Sequence, residues 1–289
     1  MKRGTRDCSP EIVGFGASLQ TGAANLFLVE DFAAPVLNCL MTVKTVIVPV
    51  ADMRREPNHR SERLSQALYG FTVAVQDARD PFDLVRTPDG YEGWMAQSYL
   101  REPEAPNTSH AVVSSRWALF ALDGGGELAL PFGSLVRADC DGELYRDCRD
   151  SQRMVLVAGS VDESISRPEL APETVALSLI SSPYLWGGAS PFGYDCSGLV
   201  QAVFRRCGVE LPRDSKDQSA CGQEIALSDA GAGDLIFFPG HVALCLDDLR
   251  IIHATRLRGM VAIESLNSDA PDCRHDLIDK VSIVRRVLL

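Results

Sequence analysis

The chain has 289 residues, a formal net charge of −11 and a pI near 4.9, and 46% of its residues are hydrophobic. At about 100–200 residues per domain, this length predicts roughly two domains and leaves room for three small ones. The acidic balance argues against a general binder of nucleic acid or of anionic membranes, because such proteins need a basic surface. No apolar run reaches the about 18 residues of a spanning helix, so we expect no membrane span.

Nine cysteines are spread along the chain, with no Cys-x-x-Cys pair and no histidine at zinc-finger spacing. Disulfide frameworks are typical of short secreted chains, whereas this chain is long enough to bury a core. We therefore expect most of the cysteines to be buried, reduced thiols in a reducing compartment. The spacing predicts no metal site.

Residues 1–42 are predicted to be an N-terminal arm that precedes the folded domains. A basic start and a short apolar stretch near residues 12–19 give a weak secretory signal, interrupted by acidic residues. Met41 stands directly before a β-branched run, which also fits an extension of the gene model. Three interpretations of this segment therefore stay open: a secretory signal, an N-terminal arm and an extension of the gene model.

Two stretches have the character of small β units. Residues 43–105 alternate β-branched and aromatic runs with turns such as Asp80-Pro81. Residues 110–160 resemble a diverged second copy, in which Gly133 takes the place of Gly70. Two units of this size predict two small β-barrels.

A polar linker at 161–172 leads into a predicted helix from Thr174 and a loop rich in glycine and aromatics at 183–188. A second helix begins after Asp195, with an apolar stripe that ends at Gly208. Asp195 is its predicted N-cap, so Cys196 lies in the first turn. The unpaired N–H groups there favour a thiolate and predict a lowered pKa for Cys196.

A nucleophilic cysteine needs a base and a residue that orients the base. Residues 234–238, 241–246 and 250–254 are predicted to be consecutive strands. His241 and His253 then lie on neighbouring antiparallel strands, which can bring the two rings together on one face.

Residues 183–254 resemble the NlpC-type murein peptidases, a papain-like group of bacterial cell-wall cysteine peptidases. The resemblance rests on six ordered blocks, PYLWGG at 183–188, SPFGYDCSGLV at 190–200, LPR at 211–213, GDLIFF at 233–238, GHVAL at 240–244 and IHA at 252–254. The upstream β units resemble bacterial SH3-like domains. The implied fold class is α+β, with an NlpC-type domain at 168–289 after SH3-like domains at 43–105 and 110–160.

The resemblance implies a role for each matching residue. Cys196 is then the nucleophile, His241 the general base, and His253 the residue that orients the base. Tyr184 matches a tyrosine whose hydroxyl helps to bind the oxyanion. The family pattern has proline where this chain has Ala232, which leaves the catalytic assignment unchanged. No cofactor and no metal are implied.

Members with N-terminal SH3-like domains resemble endopeptidases that cut the γ-D-glutamyl–diamino acid bond of stem peptides with a free N-terminal L-Ala. Glu56 and Tyr91 match the residues that bind the ammonium group there, together with Asp195 and Ser197. Carboxylates suit a cation in a closed pocket. A peptide that is still joined to glycan lacks this ammonium group and would be excluded.

Two other functions stay open. The chain could be an amidase or a D,L-endopeptidase that acts on polymeric peptidoglycan in the envelope, or a wall-binding protein whose SH3-like units do the work. The expected partner is a peptidoglycan-derived peptide. An enzyme that needs a free L-Ala amine suits the cytoplasm and recycled peptides, and a periplasmic or exported enzyme is the alternative. The oligomeric state and the diamino acid are not predicted.

Overall fold

The computed structural model describes residues 42–103, 110–138 and 144–288. Residues 41–289 form one compact unit. The predicted N-terminal arm and the first three cysteines, at positions 8, 39 and 140, lie outside the described residues. No helix in these ranges is long and apolar enough to cross a membrane.

The first β unit is a seven-stranded antiparallel sheet with the order β3-β2-β6-β5-β4-β1-β7. Its inward side chains, among them Val46, Met53 and Met95, form a closed apolar core. The Asp80-Pro81 turn joins the two strands that the sequence predicts around it. The strands are β1 (Thr42–Val46), β2 (Val50–Arg54), β3 (Arg63–Leu68), β4 (Thr72–Arg79), β5 (Phe82–Arg86), β6 (Glu92–Ala96) and β7 (Leu100–Arg101).

The second β unit repeats this strand order, since its seven strands run β10-β9-β13-β12-β11-β8-β14. Each strand corresponds to the one seven places earlier. The strands are β8 (His110–Val113), β9 (Trp117–Leu122), β10 (Glu127–Pro131), β11 (Leu135–Ala138), β12 (Tyr145–Arg146), β13 (Arg153–Ala158) and β14 (Val161–Asp162). The internal repeat that the sequence suggests is thus present in the topology.

The turn between the third and fourth strands of each β unit carries an aromatic residue into the next core. Tyr69, between β3 and β4, packs in the core of the second unit, and its hydroxyl donates to Asp147 Oδ1 at 2.8 Å. Phe132, between β10 and β11, packs in the core of the C-terminal unit. Gly70 and Gly133 follow these aromatics with φ of 82° and 88°, a left-handed backbone that glycine tolerates best.

The C-terminal unit packs helices against a six-stranded sheet with the order β17-β22-β18-β19-β20-β21. Residues of α1, α2 and the central strands share one apolar core. The helices are α1 (Pro172–Ser178), α2 (Cys196–Arg206), α3 (Ser215–Gln218) and α4 (His275–Ile278). The strands are β15 (Ala189–Ser190), β16 (Gly193–Tyr194), β17 (Gln223–Ile225), β18 (Leu235–Phe238), β19 (His241–Asp247), β20 (Arg250–Thr255), β21 (Met260–Ser265) and β22 (Ile283–Arg286).

This arrangement places the start of α2 beside the start of β19. The helix and the three strands β18, β19 and β20 agree with the sequence prediction to within a residue or two. The predicted helix from Thr174 begins slightly earlier, at Pro172, because proline suits the first helical turn.

Candidate active site

The N-terminus of α2 is held by the Asp195 side chain. Its Oδ1 atom accepts from the Gly198 N–H at 2.7 Å, and its Oδ2 atom accepts from the Gly187 N–H at 2.9 Å. The predicted N-cap is therefore confirmed. A Cβ atom at position 198 would lie 2.2 Å from the Gly188 carbonyl oxygen, so this contact requires glycine. The loop and the helix start consequently form one rigid support for Cys196.

The Cys196 thiol is held in its neutral form. Burial raises its pKa to about 11, and the negative charge of Asp195 acts in the same direction. The backbone N–H groups of Val242 and Ser197 favour the thiolate but are outweighed. The prediction that the helix start lowers this pKa is therefore wrong. The contribution of Val242 also shows that the sulfur faces the first residues of β19.

His241 and His253 meet across the β19–β20 pair. His241 Nε2 lies 2.8 Å from His253 Nδ1, so the two rings share a hydrogen bond. Burial lowers the pKa of His241 to about 3, and the positive charge of Arg274 acts in the same direction. The imidazole is thus neutral, which is the form that can accept a proton from a thiol.

Glu264, on β21, extends this chain of hydrogen bonds and was not anticipated. Its Oε2 atom lies 2.7 Å from His253 Nε2, and its side chain is fully buried. Arg258 donates to Oε1 at 2.8 Å, and Arg274 donates to Oε2. Burial alone would raise the pKa of Glu264, but the hydrogen bonds from His253, Arg274 and Arg258 together lower it to about 2.

The sequence held one signal for Glu264. It is the acidic residue in the otherwise apolar run Val261-Ala262-Ile263, one strand after His253. Because His253 pairs with Ala262, and alternate residues share a face, Glu264 lies diagonally across from the histidine. Extending the strand prediction beyond Ala254 would have placed it there.

Tyr184 lies in the loop that supports the helix start. Its backbone N–H donates to the Gly259 carbonyl at 2.7 Å, which ties the loop to the β20–β21 turn. Its half-buried phenol has a raised pKa, first because of burial and also because of the neighbouring negative charge of Asp195. Its hydroxyl is therefore a hydrogen-bond donor, and its role toward an oxyanion stays a prediction.

The side chains of Asp195 and Ser197 are both hydrogen-bonded inside the protein, at the start of α2. The buried Arg213 guanidinium bonds both carboxylate oxygens of Asp195, at 3.0 and 2.6 Å, and Ser197 Oγ at 2.9 Å. Its Nε atom donates to Ser65 Oγ of the first β unit at 2.9 Å. Arg213 thus helps Asp195 and Ser197 to support the helix start, and the role of these two residues in binding an ammonium group stays a prediction.

Tyr91 and Asp214 meet where the first β unit contacts the C-terminal unit. The Tyr91 hydroxyl lies 3.3 Å from each carboxylate oxygen of Asp214. Burial, followed by the charge of Asp214, raises the pKa of Tyr91 to about 12. Asp214 is exposed and directly follows Arg213. The sequence analysis names Tyr91 and does not name Asp214, which directly follows the LPR block at 211–213; the role of Tyr91 in substrate binding stays a prediction.

Glu56 lies in the exposed loop between β2 and β3. Its backbone N–H donates to Ser61 Oγ at 2.8 Å. In the same loop, Glu62 accepts from Trp186 Nε1 at 3.0 Å, which brings the loop to the glycine-rich segment before Cys196. The role of Glu56 in substrate binding stays a prediction.

Within the described ranges, no group of three or more His, Cys, Asp or Glu side chains could hold a metal ion. The chemistry available from these residues is nucleophilic attack by a thiol, with a neutral imidazole as proton acceptor.

Comparison with known proteins agrees with this site. Residues 181–275 match the NlpC/P60 family, and residues 53–100 match the bacterial dipeptidyl-peptidase Sh3 domain. A γ-D-glutamyl-L-lysine dipeptidyl-peptidase of Bacillus subtilis is 30% identical over 63% of this chain, and the match spans 66% of that protein. Dipeptidyl-peptidase 6 of Lysinibacillus sphaericus is 29% identical over 83% of this chain and 97% of its own length.

The fold is shared with a solved structure. An NlpC/P60 family protein from Bacillus cereus superposes with a TM-score of 0.73 at 23% identity, over 86% of this chain and all of that one. At this identity the likeness concerns the fold alone.

Proposed function

Because residues 181–275 form a domain of the NlpC/P60 cysteine peptidase family, preceded by a bacterial dipeptidyl-peptidase Sh3 domain, we propose that the chain hydrolyses peptidoglycan stem peptides. The bond that we propose is the one between γ-D-glutamate and the diamino acid, in peptides whose N-terminal L-Ala is free. The observation that carries this choice is the Tyr91–Asp214 pair beside the thiol-bearing helix.

The first chemical step forms a thioester. The Cys196 sulfur attacks the γ-carbonyl carbon of D-glutamate while its proton passes to His241 Nδ1. The resulting oxyanion accepts hydrogen bonds from the Cys196 N–H and the Tyr184 hydroxyl. When the carbon–nitrogen bond breaks, the proton on His241 goes to the departing amine.

The second step releases the dipeptide. Water attacks the thioester carbonyl and gives a proton to His241. The carbon–sulfur bond then breaks, and the thiolate takes the proton back, so that both groups return to their neutral forms. The neutral states of Cys196 and His241 suit this cycle, since the proton moves only as the sulfur attacks.

The pocket for the free amine would lie between the first β unit and the loop after Arg213. Asp214 offers an exposed carboxylate, and the Tyr91 hydroxyl lies within reach of it. An ammonium group between them would form charge-assisted hydrogen bonds. An N-acylated or glycan-linked peptide would bring a neutral amide there, and the carboxylate would be left without a cation.

We also propose that the second β unit is an SH3-like domain. The support is its strand order, which repeats that of the first unit strand by strand. It contributes Phe132 to the core of the peptidase domain, so its proposed task is support rather than substrate binding.

We further propose that the reaction belongs to the recycling of peptidoglycan peptides in the cytoplasm. The described cysteines are all free thiols, including the half-exposed Cys221 and Cys273. Free, accessible thiols suit a reducing compartment. Cell fractionation followed by immunodetection tests this location, and recovery with the envelope would contradict it.

The decisive experiment is incubation with L-Ala-γ-D-Glu-diaminopimelate and with its N-acetylated form, read by mass spectrometry. We expect release of L-Ala-D-Glu from the free peptide only, with Cys196→Ala as the inactive control. Cleavage of both peptides, or digestion of intact sacculi, would favour an endopeptidase or amidase of polymeric wall. Tight binding to sacculi without turnover of either peptide would favour a wall-binding protein.

A further inference from the structure

Glu264 is buried behind the two histidines, and three side chains donate hydrogen bonds to its carboxylate. His253 Nε2 lies 2.7 Å from it, Arg258 Nε lies 2.8 Å from it, and Arg274 donates to the same oxygen as the histidine. The two guanidinium groups keep the carboxylate ionised, and an ionised carboxylate can only accept. The hydrogen on His253 must therefore sit on Nε2.

The position of the hydrogen on His253 determines the position of the hydrogen on His241. When the His253 ring is neutral, a hydrogen on Nε2 leaves its Nδ1 unprotonated, and Nδ1 can then only accept. His253 Nδ1 lies 2.8 Å from His241 Nε2, so the hydrogen of His241 must sit on Nε2. Nδ1 of His241 is then left unprotonated on the side of the ring away from His253.

From this geometry we infer that Glu264 is a positioning residue, which fixes the tautomers of both histidines so that His241 Nδ1 is free to accept the Cys196 proton. The inference deepens the proposed function and rests on its thiol–imidazole step. With the opposite tautomer of His253, Nδ1 would donate to His241 Nε2, and His241 would carry its hydrogen on Nδ1. The base would then have no lone pair for the thiol.

The carboxylate also acts when His241 becomes an imidazolium. The proton taken from Cys196 stays on His241 until the amine leaves, and neither His253 nor Glu264 exchanges a proton. The charge on His241 is stabilised through its Nε2–H bond to His253, whose own Nε2–H bond points at the negative charge of Glu264. Glu264 therefore acts on His241 indirectly, through the hydrogen bonds of the His253 ring.

The test is a Glu264→Gln variant with two readouts. A glutamine amide can donate or accept, so it no longer selects one tautomer of His253. With ¹⁵N-labelled histidine, we expect wild-type His241 to be protonated at Nε2 and the variant to populate the Nδ1-protonated form. Signals are assigned with His241→Gln and His253→Gln.

For the tripeptide, we expect kcat of Glu264→Gln to fall about 10- to 100-fold, the loss that is typical when the partner orienting a metal-ligating histidine is removed, with KM nearly unchanged. Glu224→Gln is the matched control, because Glu224 is an exposed carboxylate facing Arg285 and should retain both wild-type readouts.

Three results would overturn the inference: a wild-type His241 protonated at Nδ1, a wild-type kcat in Glu264→Gln, or a loss of kcat with unchanged tautomers. If the variant does not fold, the spectrum of the wild-type protein still decides. If the wild-type protein cleaves neither peptide, the proposed function fails, while the spectrum continues to test Glu264.

Discussion

Tyr91 lies in the first β unit and Asp214 in the C-terminal unit, yet the Tyr91 hydroxyl is 3.3 Å from both oxygens of the Asp214 carboxylate. The pair lies close to the catalytic helix because Asp214 follows Arg213, which holds Asp195 beside Cys196. The substrate pocket that we propose is therefore shared between two folded units.

The first prediction concerns the charge of Asp214. Asp214→Asn should raise KM for the free tripeptide by about 10- to 100-fold, since hydrogen bonds to charged groups contribute about 1.5–3 kcal/mol. The exposed Glu92, paired with Arg86, gives a matched control in Glu92→Gln, which should leave KM unchanged. Steady-state kinetics measures both. An unchanged KM in Asp214→Asn would remove this residue from the pocket.

Glu56 gives a second, independent test of the same pocket. If the loop between β2 and β3 closes on the ammonium group, Glu56→Ala raises KM for the tripeptide while kcat stays near the wild-type value. The side chain is exposed, so the free energy of unfolding should not change. A wild-type KM would leave Tyr91 and Asp214 as the ligands and would assign Glu56 to the solvent-exposed surface.

The third prediction concerns the buried ion pair of Arg213 with Asp195. Arg213→Met leaves the buried Asp195 carboxylate without its cation, and it should lower the free energy of unfolding by about 3 kcal/mol or more. Arg250→Met removes a pair in which both side chains are more than half exposed, and it should cost less than about 1 kcal/mol. Urea unfolding compares the two. Equal losses would contradict the assignment of Arg213 as the support of the helix start.

The fourth prediction concerns the pH dependence of Cys196. Because burial raises the pKa of this thiol to about 11, the thiolate fraction of the free enzyme should rise steadily with pH between 7 and 10. The rate of alkylation by iodoacetamide should follow it without a plateau. Site-specific labelling is read by peptide mass spectrometry, with Cys196→Ala to assign the reactive site. A plateau reached below pH 7 would instead reveal a preformed thiolate–imidazolium pair.

The parts of the site that depend on neighbouring residues in the chain could be predicted from the sequence. Asp195 as an N-cap, the apolar stripe of α2 and the strands around His241 follow from short-range patterns. The chemistry at Cys196 was predicted with the wrong pKa, since the pattern shows the helix start but not the burial that outweighs it.

The residues that were missed depend on tertiary packing. Arg213 stands in the LPR block with no predicted role, and its contacts with Ser65 and Asp195 explain why it is buried. Asp214 was missed because its contact with Tyr91 joins residues that are far apart in the sequence. Glu264 was one strand beyond the last block that the pattern described.

The aromatic residues in the two equivalent turns have a consequence for protein engineering. Tyr69 fills the core of the second unit, and Phe132 fills the core of the peptidase unit. Each of the first two units therefore supplies an aromatic side chain to the core of the next unit. Dividing the chain at either boundary would leave the following core incomplete. A peptidase fragment that begins after the second unit would lack Phe132 and have a cavity in its core. Loss of a buried phenylalanine side chain lowers the free energy of unfolding by about 3–5 kcal/mol. An exchange of domains between relatives would have to include the preceding turn with its aromatic residue.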